Sequence, residues 1–369
     1  MCQPAIVTLP ITPRKSPKIG LMFIPFIMDV LGKKIGIKKM LGLNVNGAKL
    51  FDQDIEDNVC GYINVNSWLG IVPDKIWRDD QKENIYWINT FFQQLQNNGY
   101  IIRDNRLILR CSCKAVEMLA VADNISLRKR LYEKVSNIIH CKICKTPVVE
   151  MVDNVYLFKI KHFQPSVGSV IPNFTYREVC NLSKRFAGVE FLISRSRPSA
   201  MKLWMGKEYI FLDPDFGWQL YLPLIRRYGF DPCILIGSQE NLFGCYLMIL
   251  LQWIIDKKES TLIVPGYCKT KSKSDELITS KFQEWDRNTV RLYLASHVTF
   301  RKKEMTIDTS LMYLINKVIL HAARDQFCVP IQQLLMESMN NIEGNKVCRL
   351  LTESWRNRKA HEELITMMV

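Results

Sequence analysis

Lys269-Thr270-Lys271-Ser272-Lys273-Ser274 sets three lysines and two serines in six residues. An apolar, β-branched run precedes it, Thr261-Leu262-Ile263-Val264-Pro265-Gly266, which reads as a buried parallel strand. A basic, hydroxyl-rich loop leaving a sheet suits a mobile clamp on phosphates. Lysine ammonium groups offset the charge that develops in phosphoryl or nucleotidyl transfer, and a loop can close on a nucleotide. A solvated Lys/Ser loop would carry the same residues. The second constellation is cysteine: Cys111-Ser112-Cys113 and Cys141-Lys142-Ile143-Cys144. Two close pairs suit a four-thiolate zinc knuckle, with Arg128, Lys129 and Arg130 between them to offset a doubly negative centre. Four thiolates leave no open coordination position, so such a zinc would be structural. Four free thiols are the other reading.

Parallel strands with glycine-bearing turns must position these groups. Ala5-Ile6-Val7-Thr8-Leu9 reads as a first buried strand, and Pro10, Pro13 and Pro17 keep the following loop extended. Lys18-Ile19-Gly20-Leu21 then opens an apolar helix through Val30. A helix start offers unpaired N–H groups, and Gly20 would let a nucleotide lie against the backbone. An ordinary β-α turn has the same pattern. The rhythm recurs at Cys233-Ile234-Leu235-Ile236-Gly237, where Ser238-Gln239-Glu240-Asn241 is predicted to cap the next helix. Such repetition predicts a doubly wound sheet with ligands at its carboxyl edge.

The remaining stretches read as scaffold. Leu69 to Asp74 is a turn leading to Trp77-Arg78-Asp79-Asp80, and a helix with Ile85, Ile88, Phe91, Phe92 and Leu95 on one face closes at Asn98-Gly99. Phe191–Arg195 and Tyr209–Asp213 read as paired strand ends, with a helix beginning at Asp213-Pro214. Past Ser274 the chain reads as helical: Trp285–Leu294, then a stripe at Leu311, Leu314, Ile315, Val318 and Ile319, then Ile331–Met339, with Arg349, Arg356, Arg358 and Lys359 near the end. A basic helical tail could meet RNA backbone, as could any solvated helix face.

Composition bounds the class. The chain has 369 residues, 48% of them hydrophobic, enough for two or three domains around a large core. Its net charge of +14 favours a polyanionic partner. Twelve cysteines without a secretory signal imply a reducing, cytoplasmic setting. The apolar stretches Ile19–Leu31 and Leu242–Ile255 are too short or interrupted to span a bilayer and read as buried helices.

Taken in order, these pieces resemble a class I aminoacyl-tRNA synthetase, closest to the methionyl branch. Its HIGH signature would fall on Lys18-Ile19-Gly20-Leu21 and its KMSKS signature on Thr270-Lys271-Ser272-Lys273-Ser274. Leu69-Gly70-Ile71 and Asn98-Gly99-Tyr100 resemble its connective segment before the knuckle. Ile193-Ser194-Arg195, Leu212-Asp213 with Gly217-Trp218, and Gly237-Ser238-Gln239 with Phe243-Gly244 resemble its ISR, FDA-x-x-GY and GKD-x-x-x-FH stretches. Asn316-Lys317-Val318 resembles the opening of its helical anticodon domain. The resemblance implies an α/β, Rossmann-like parallel sheet of the HUP type, with an inserted connective and zinc-knuckle subdomain and a C-terminal helical bundle. The divisions would be 1–100 and 166–275 for the halves of the catalytic domain, 101–165 for the insertion and 276–369 for a short anticodon-binding-like part.

The resemblance also implies a reaction. An amino-acid carboxylate attacks the α-phosphate of ATP, with Mg2+, and the adenylate passes to tRNA. Lys273, Lys271 and Lys18 would be catalytic; Gly20, Gly237, Gln239, Ser272 and Ser274 would hold ATP; Asp213, Gly217 and Trp218 would shape the amino-acid pocket; Cys111, Cys113, Cys141 and Cys144 would bind zinc. The chain departs from the pattern at both HIGH histidines, which are Lys18 and Leu21, and its five histidines begin only at His140. Gln239 replaces the GKD aspartate and Gly244 the histidine of FH. Each lost transition-state donor costs on the order of 10²–10³ in rate. A degenerate paralogue that binds tRNA, a partner or a small molecule without adenylation is therefore the alternative.

Overall fold

The computed structural model describes residues 2–49, 54–120, 132–135, 138–196, 200–206, 208–270, 282–297 and 304–307. Along the chain the elements are β1 (Gln3–Thr8), a 3-10 turn over Ile19–Met22, α1 (Phe23–Ile35), β2 (Lys38–Leu43), α2 (Val45–Ala48), α3 (Ile55–Trp68), β3 (Lys75–Arg78) and α4 (Glu83–Asn97). Then come β4 (Ile101–Arg110), β5 (Glu117–Leu119), β6 (Tyr132–Val135), β7 (Ile138–Cys141), β8 (Val149–Lys159), β9 (Val170–Ile171), α5 (Asn173–Phe186) and β10 (Glu190–Leu192). The last group is β11 (Met201–Trp204), β12 (Tyr209–Leu212), α6 (Pro214–Gln219), α7 (Tyr221–Arg227), β13 (Phe230–Ile236), α8 (Leu242–Asp256), β14 (Thr261–Ile263), β15 (Tyr267–Thr270), α9 (Arg287–His297) and β16 (Glu304–Ile307).

The doubly wound sheet is present. Six strands lie in the order β3-β2-β1-β13-β14-β9, and every pairing is parallel. β1 leads through α1 to β2 on one side, while β13 leads through α8 to β14 on the other. The direction of winding therefore reverses between β1 and β13, and a crevice opens there at the carboxyl edge. Ile6, Val7, Leu235, Ile236 and Leu262 are fully buried, as strands covered on both faces require. One cluster packs α1 and α3 on one face, and a second packs α4, α7 and α8 on the other.

α1 runs past Val30 to Ile35, because Leu31 and Gly32 stay buried and Gly36, at φ 69°, closes the helix with its N–H on Gly32 O. α8 is the second apolar stretch, buried along most of its length. Among the described residues no helix is long and apolar enough to cross a membrane. Lys269 and Thr270 correct the expected loop: they lie in β15, which pairs in parallel with β16. Lys271–Ser274, Arg128–Arg130, the stripes beyond residue 308 and the basic tail lie outside the described residues. The helix expected at Trp285 begins at Arg287.

A second, antiparallel sheet of order β10-β8-β4-β5 stands apart from the parallel one. Its centre is the long β4–β8 pairing, from Ile101–Phe158 to Arg110–Val149. The stretches expected to pair do so by a single bridge, Ser194 with Leu212, extended by Asp213 N to Ile193 O (2.7 Å) and Arg195 N to Phe211 O (2.6 Å).

One buried charge joins α9, the last of the described helices, to the parallel-sheet part of the chain. Asp29 of α1 is fully buried. Lys33 Nζ lies 2.7 Å from its carboxylate, Lys39 Nζ 3.1 Å and Arg291 Nη2 of α9 3.6 Å. Gly32 makes room for this arrangement, since a Cβ there would stand 2.4 Å from Lys39 Cγ. Arg291 also donates to Leu69 O at 2.6 Å. Removing the buried anion leaves the partly buried Lys39 and Arg291 without their carboxylate, which costs about 3–5 kcal/mol. Asp29→Ala is expected to lower the unfolding free energy by about that much in urea titration. A loss below about 1 kcal/mol would mean that the cluster is solvated.

Candidate functional site

The carboxyl edge is built by three strand ends. Leu9 N donates to Ile236 O at 2.8 Å and Gly237 N to Ile263 O at 2.8 Å, so β1, β13 and β14 finish side by side. The turn Ile19–Met22 and the start of α1 follow β1 at this same edge. Lys18 is exposed, extended (φ −71°, ψ 147°) and makes no side-chain cap. Gly20 is half-buried in the turn, and Leu21 is exposed. α1 starts without a side-chain cap or an acidic residue in its first turn, leaving its N–H dipoles uncompensated from within.

Gly237 is buried, and a Cβ there would meet Cys245 Sγ at 2.7 Å and Leu262 Cδ1 at 3.0 Å. Close strand-to-helix packing thus requires glycine at this position. Gln239 donates to Glu178 Oε2 at 2.5 Å, tying the turn to α5. The expected side-chain cap of α8 is absent: Asn241 holds the N-cap position with no side-chain bond, and its own N–H meets Ser238 O (3.2 Å) and Ser238 Oγ (3.3 Å). Lys271, Ser272, Lys273 and Ser274 follow β15 and lie outside the described residues.

Asp213, Gly217 and Trp218 come together on α6. Asp213 is its N-cap, accepting Asp215 N at 3.1 Å, and Pro214 takes the first turn, where its missing N–H costs nothing. The Asp213 carboxylate also pairs with Arg195 Nε at 2.7 Å, both side chains being buried. Arg195 Nη1 donates to Glu117 O; the Glu117 carboxylate accepts Ser196 N (3.1 Å) and pairs with Arg110 at 2.6 Å. This buried charge chain fastens the antiparallel sheet to the start of α6. At Gly217 a Cβ would overlap Met201 Cε (1.8 Å), and at Gly244 it would stand 2.6 Å from Trp218 Cη2. The indole thus fills the space that a side chain at 244 would enter.

A buried carboxylate at the β2 and β3 ends escaped the sequence reading. Asp79 accepts Val45 N (2.6 Å) and Asn46 N (3.0 Å), and its Oδ2 has no partner among the described residues. Burial pushes its pKa up to about 7, against the pull of the two N–H groups. Trp77-Arg78-Asp79-Asp80 carried the only signal, two acids directly after a strand.

The four cysteines converge. The sulfurs of Cys111, Cys113, Cys141 and Cys144 all lie within 4.8 Å of one another. The Cys111–Cys113 and Cys113–Cys141 separations are 3.5 and 3.7 Å, close to the edge of about 3.8 Å for a tetrahedron with Zn–S near 2.3 Å. Val116 N and Ile143 N point at Cys111 Sγ (3.3 Å) and Cys141 Sγ (3.4 Å), as N–H donors to thiolates do. Burial opposes the charge on Cys113, Cys141 and Cys144, but hydroxyls of Thr146 and Ser112 bring Cys144 down to about 5, while burial carries Cys113 up to about 12. The cluster fits a zinc knuckle, with the four cysteines holding the ion and no position left for substrate.

No protein-family model matches the chain, and no curated protein matches it in sequence. Solved structures do match. A methionyl-tRNA synthetase of Mycobacterium tuberculosis bound by methionyl-adenylate superposes on 99% of this chain and 80% of its own, with TM-score 0.64 and 12% identity. A second complex of that enzyme with methionyl-adenylate gives 100%, 82%, 0.65 and 12%, and its apo form 97%, 70%, 0.62 and 13%. The chain has the fold of a class I, methionyl-type synthetase. At this identity the likeness concerns the fold, and the chain's own residues must carry any statement about chemistry.

Asp79 supplies a test of the local electrostatics. A carboxyl raised to about 7 in the folded state contributes stability that is complete below its unfolded value near 3.9 and is lost as pH rises through 7. Asp79→Asn removes that loss, so the variant's unfolding free energy relative to the parent should rise by about 2–3 kcal/mol between pH 5 and 8. A pH-independent difference would show that Asp79 stays ionised.

Proposed function

We propose that this chain is a class I, methionyl-tRNA synthetase-like ligase that activates an amino acid with ATP and transfers it to tRNA. One observation carries the proposal: nearly the whole chain superposes on a synthetase holding methionyl-adenylate, with a switch-point crevice at the edge where that class acts. The amino-acid carboxylate attacks the α-phosphate, the bond to the bridging oxygen breaks, and pyrophosphate leaves; Mg2+, when bound, would offset charge on the triphosphate. Lys273 offsets the charge on the leaving group, helped by Lys271 and by the exposed Lys18 at the head of α1. Gly20 lets the nucleotide approach the α1 start, Gly237 keeps the turn tight, and Gln239, Ser272 and Ser274 complete the ATP side. Gly217 and Trp218 wall the amino-acid side, with Asp213 acting through α6, which it caps. A structural zinc on Cys111, Cys113, Cys141 and Cys144 holds the inserted segment, within the divisions 1–100, 101–165, 166–275 and 276–369. Methionine is the first amino acid to test, because the relatives bind its adenylate.

ATP–pyrophosphate exchange across the twenty amino acids tests this reading, with bound zinc measured on the same sample. Exchange with one amino acid, lowered about 10²-fold or more by Lys273→Ala, is the expected result. No exchange above background with any amino acid would overturn the ligase reading.

A further inference from the structure

α3 turns one stripe of residues toward the segment that carries Lys18 and Gly20. Asn58, Gly61 and Tyr62 recur at helical spacing, and Asn58 and Tyr62 are buried. Asn58 Oδ1 accepts Lys15 N at 2.8 Å, and Tyr62 OH donates to Leu21 O at 3.3 Å. Gly61 meets the segment backbone to backbone. A Cβ there would stand 2.6 Å from Lys15 O, 2.7 Å from its Cα and 3.0 Å from its carbonyl carbon. Asp57 adds a pair with Lys15 Nζ at 3.1 Å, too exposed to contribute much.

These contacts fall where the segment has no ladder of its own. Ile11 is tied to the end of β2, with its N–H on Gly42 O (2.9 Å) and its carbonyl accepting Asn44 N (2.9 Å). Residues 12–17 then lie in neither helix nor strand, and the buried Pro13 and Pro17 have no backbone N–H to give. α3 holds the chain on both sides of Lys18, at Lys15 three residues before it and at Leu21 three residues after. The Lys18 side chain is exposed, so the backbone sets where its ammonium group can reach. Packing alone would ask only for apolar residues along α3, as Val59, Tyr62 and Val65 supply. An amide acceptor at 58 and a missing side chain at 61 serve the backbone of the segment instead.

We infer that Asn58, Gly61 and the Tyr62 hydroxyl are positioning residues for the nucleotide turn, an inference that rests on the nucleotide site of the proposed ligase. They touch neither ATP nor amino acid. They fix where Lys18 and the N–H groups at the head of α1 meet the triphosphate. Such placement is sensitive, since an error of about 1 Å can cost about 10²-fold in rate. A methyl group at 61 would drive Lys15 O from 2.6 Å to an ordinary contact near 3.4 Å, a shift of about 0.8 Å in the backbone close to Lys18.

The test uses the full chain with saturating ATP and Mg2+, and reads amide hydrogen exchange at the two turns. In the parent, ATP should slow exchange at residues 19–23 and 237–242. Gly61→Ala and Asn58→Leu should lose at least about tenfold of the protection at 19–23 and keep that at 237–242. Asn58→Asp, which retains an acceptor for Lys15 N, should keep both. In pyrophosphate exchange, Gly61→Ala should lower kcat by about 10–10²-fold with the KM for the amino acid within about twofold of the parent. Tyr62→Phe, which deletes one hydrogen bond, should lower kcat by about fivefold. Thermal melts identify any variant that unfolds, and the size-matched pair Asn58→Asp and Asn58→Leu then decides the matter by the acceptor alone. Folded Gly61→Ala and Asn58→Leu with protection and kcat within about twofold of the parent would overturn the inference and leave the ligase reading intact. So would protection lost equally at both turns, since α3 would then support the fold at large. A parent that ATP protects at neither turn would overturn the nucleotide site itself, and this inference with it, before any variant is compared.

Discussion

The parallel pairing of β1 with β13 is the constraint on which the rest depends. It joins residues 3–8 to residues 230–236, with an irregularity between Ala5 and Ile6. Loop-closure entropy opposes so distant a contact, and burial of Ile6, Val7, Leu235 and Ile236 offsets it. Once the pair forms, the turn at Gly20 and the turn at Gly237 have to leave the same edge of one sheet. Neither the knuckle nor the antiparallel sheet is needed for that juxtaposition.

Those other parts attach to it by buried charges. The chain from Arg110 through Glu117 and Arg195 to Asp213 links the second sheet to the start of α6. Asp29 does the same between α1 and α9. Buried ion pairs add little net stability but penalise wrong geometry heavily once one partner is displaced. They suit a protein whose site is assembled from segments far apart in sequence.

The sequence made the sheet legible because strands buried on both faces read as unbroken apolar runs, as at Ala5–Leu9, Cys233–Ile236 and Thr261–Val264. The knuckle was legible because thiolate spacing has few other uses. Lys269 and Thr270 were misread because their strand partner, Glu304–Ile307, is remote in sequence, and a basic run carries no strand signal of its own. Gly237 looked like a phosphate cradle, yet the contact that requires glycine there is Cys245, one helical turn into α8. Asp79 and the Arg195–Glu117 contact were invisible, since burial of a charge is a property of the fold.

The central claim is that one crevice at the β1/β13 switch point receives a nucleotide. Amide hydrogen exchange with and without ATP and Mg2+ measures this directly. The account predicts slowed exchange at residues 19–23 and at residues 237–242 together, with β4 and β8 unchanged. Protection confined to one of these two turns, or found only outside the carboxyl edge of the parallel sheet, would contradict it.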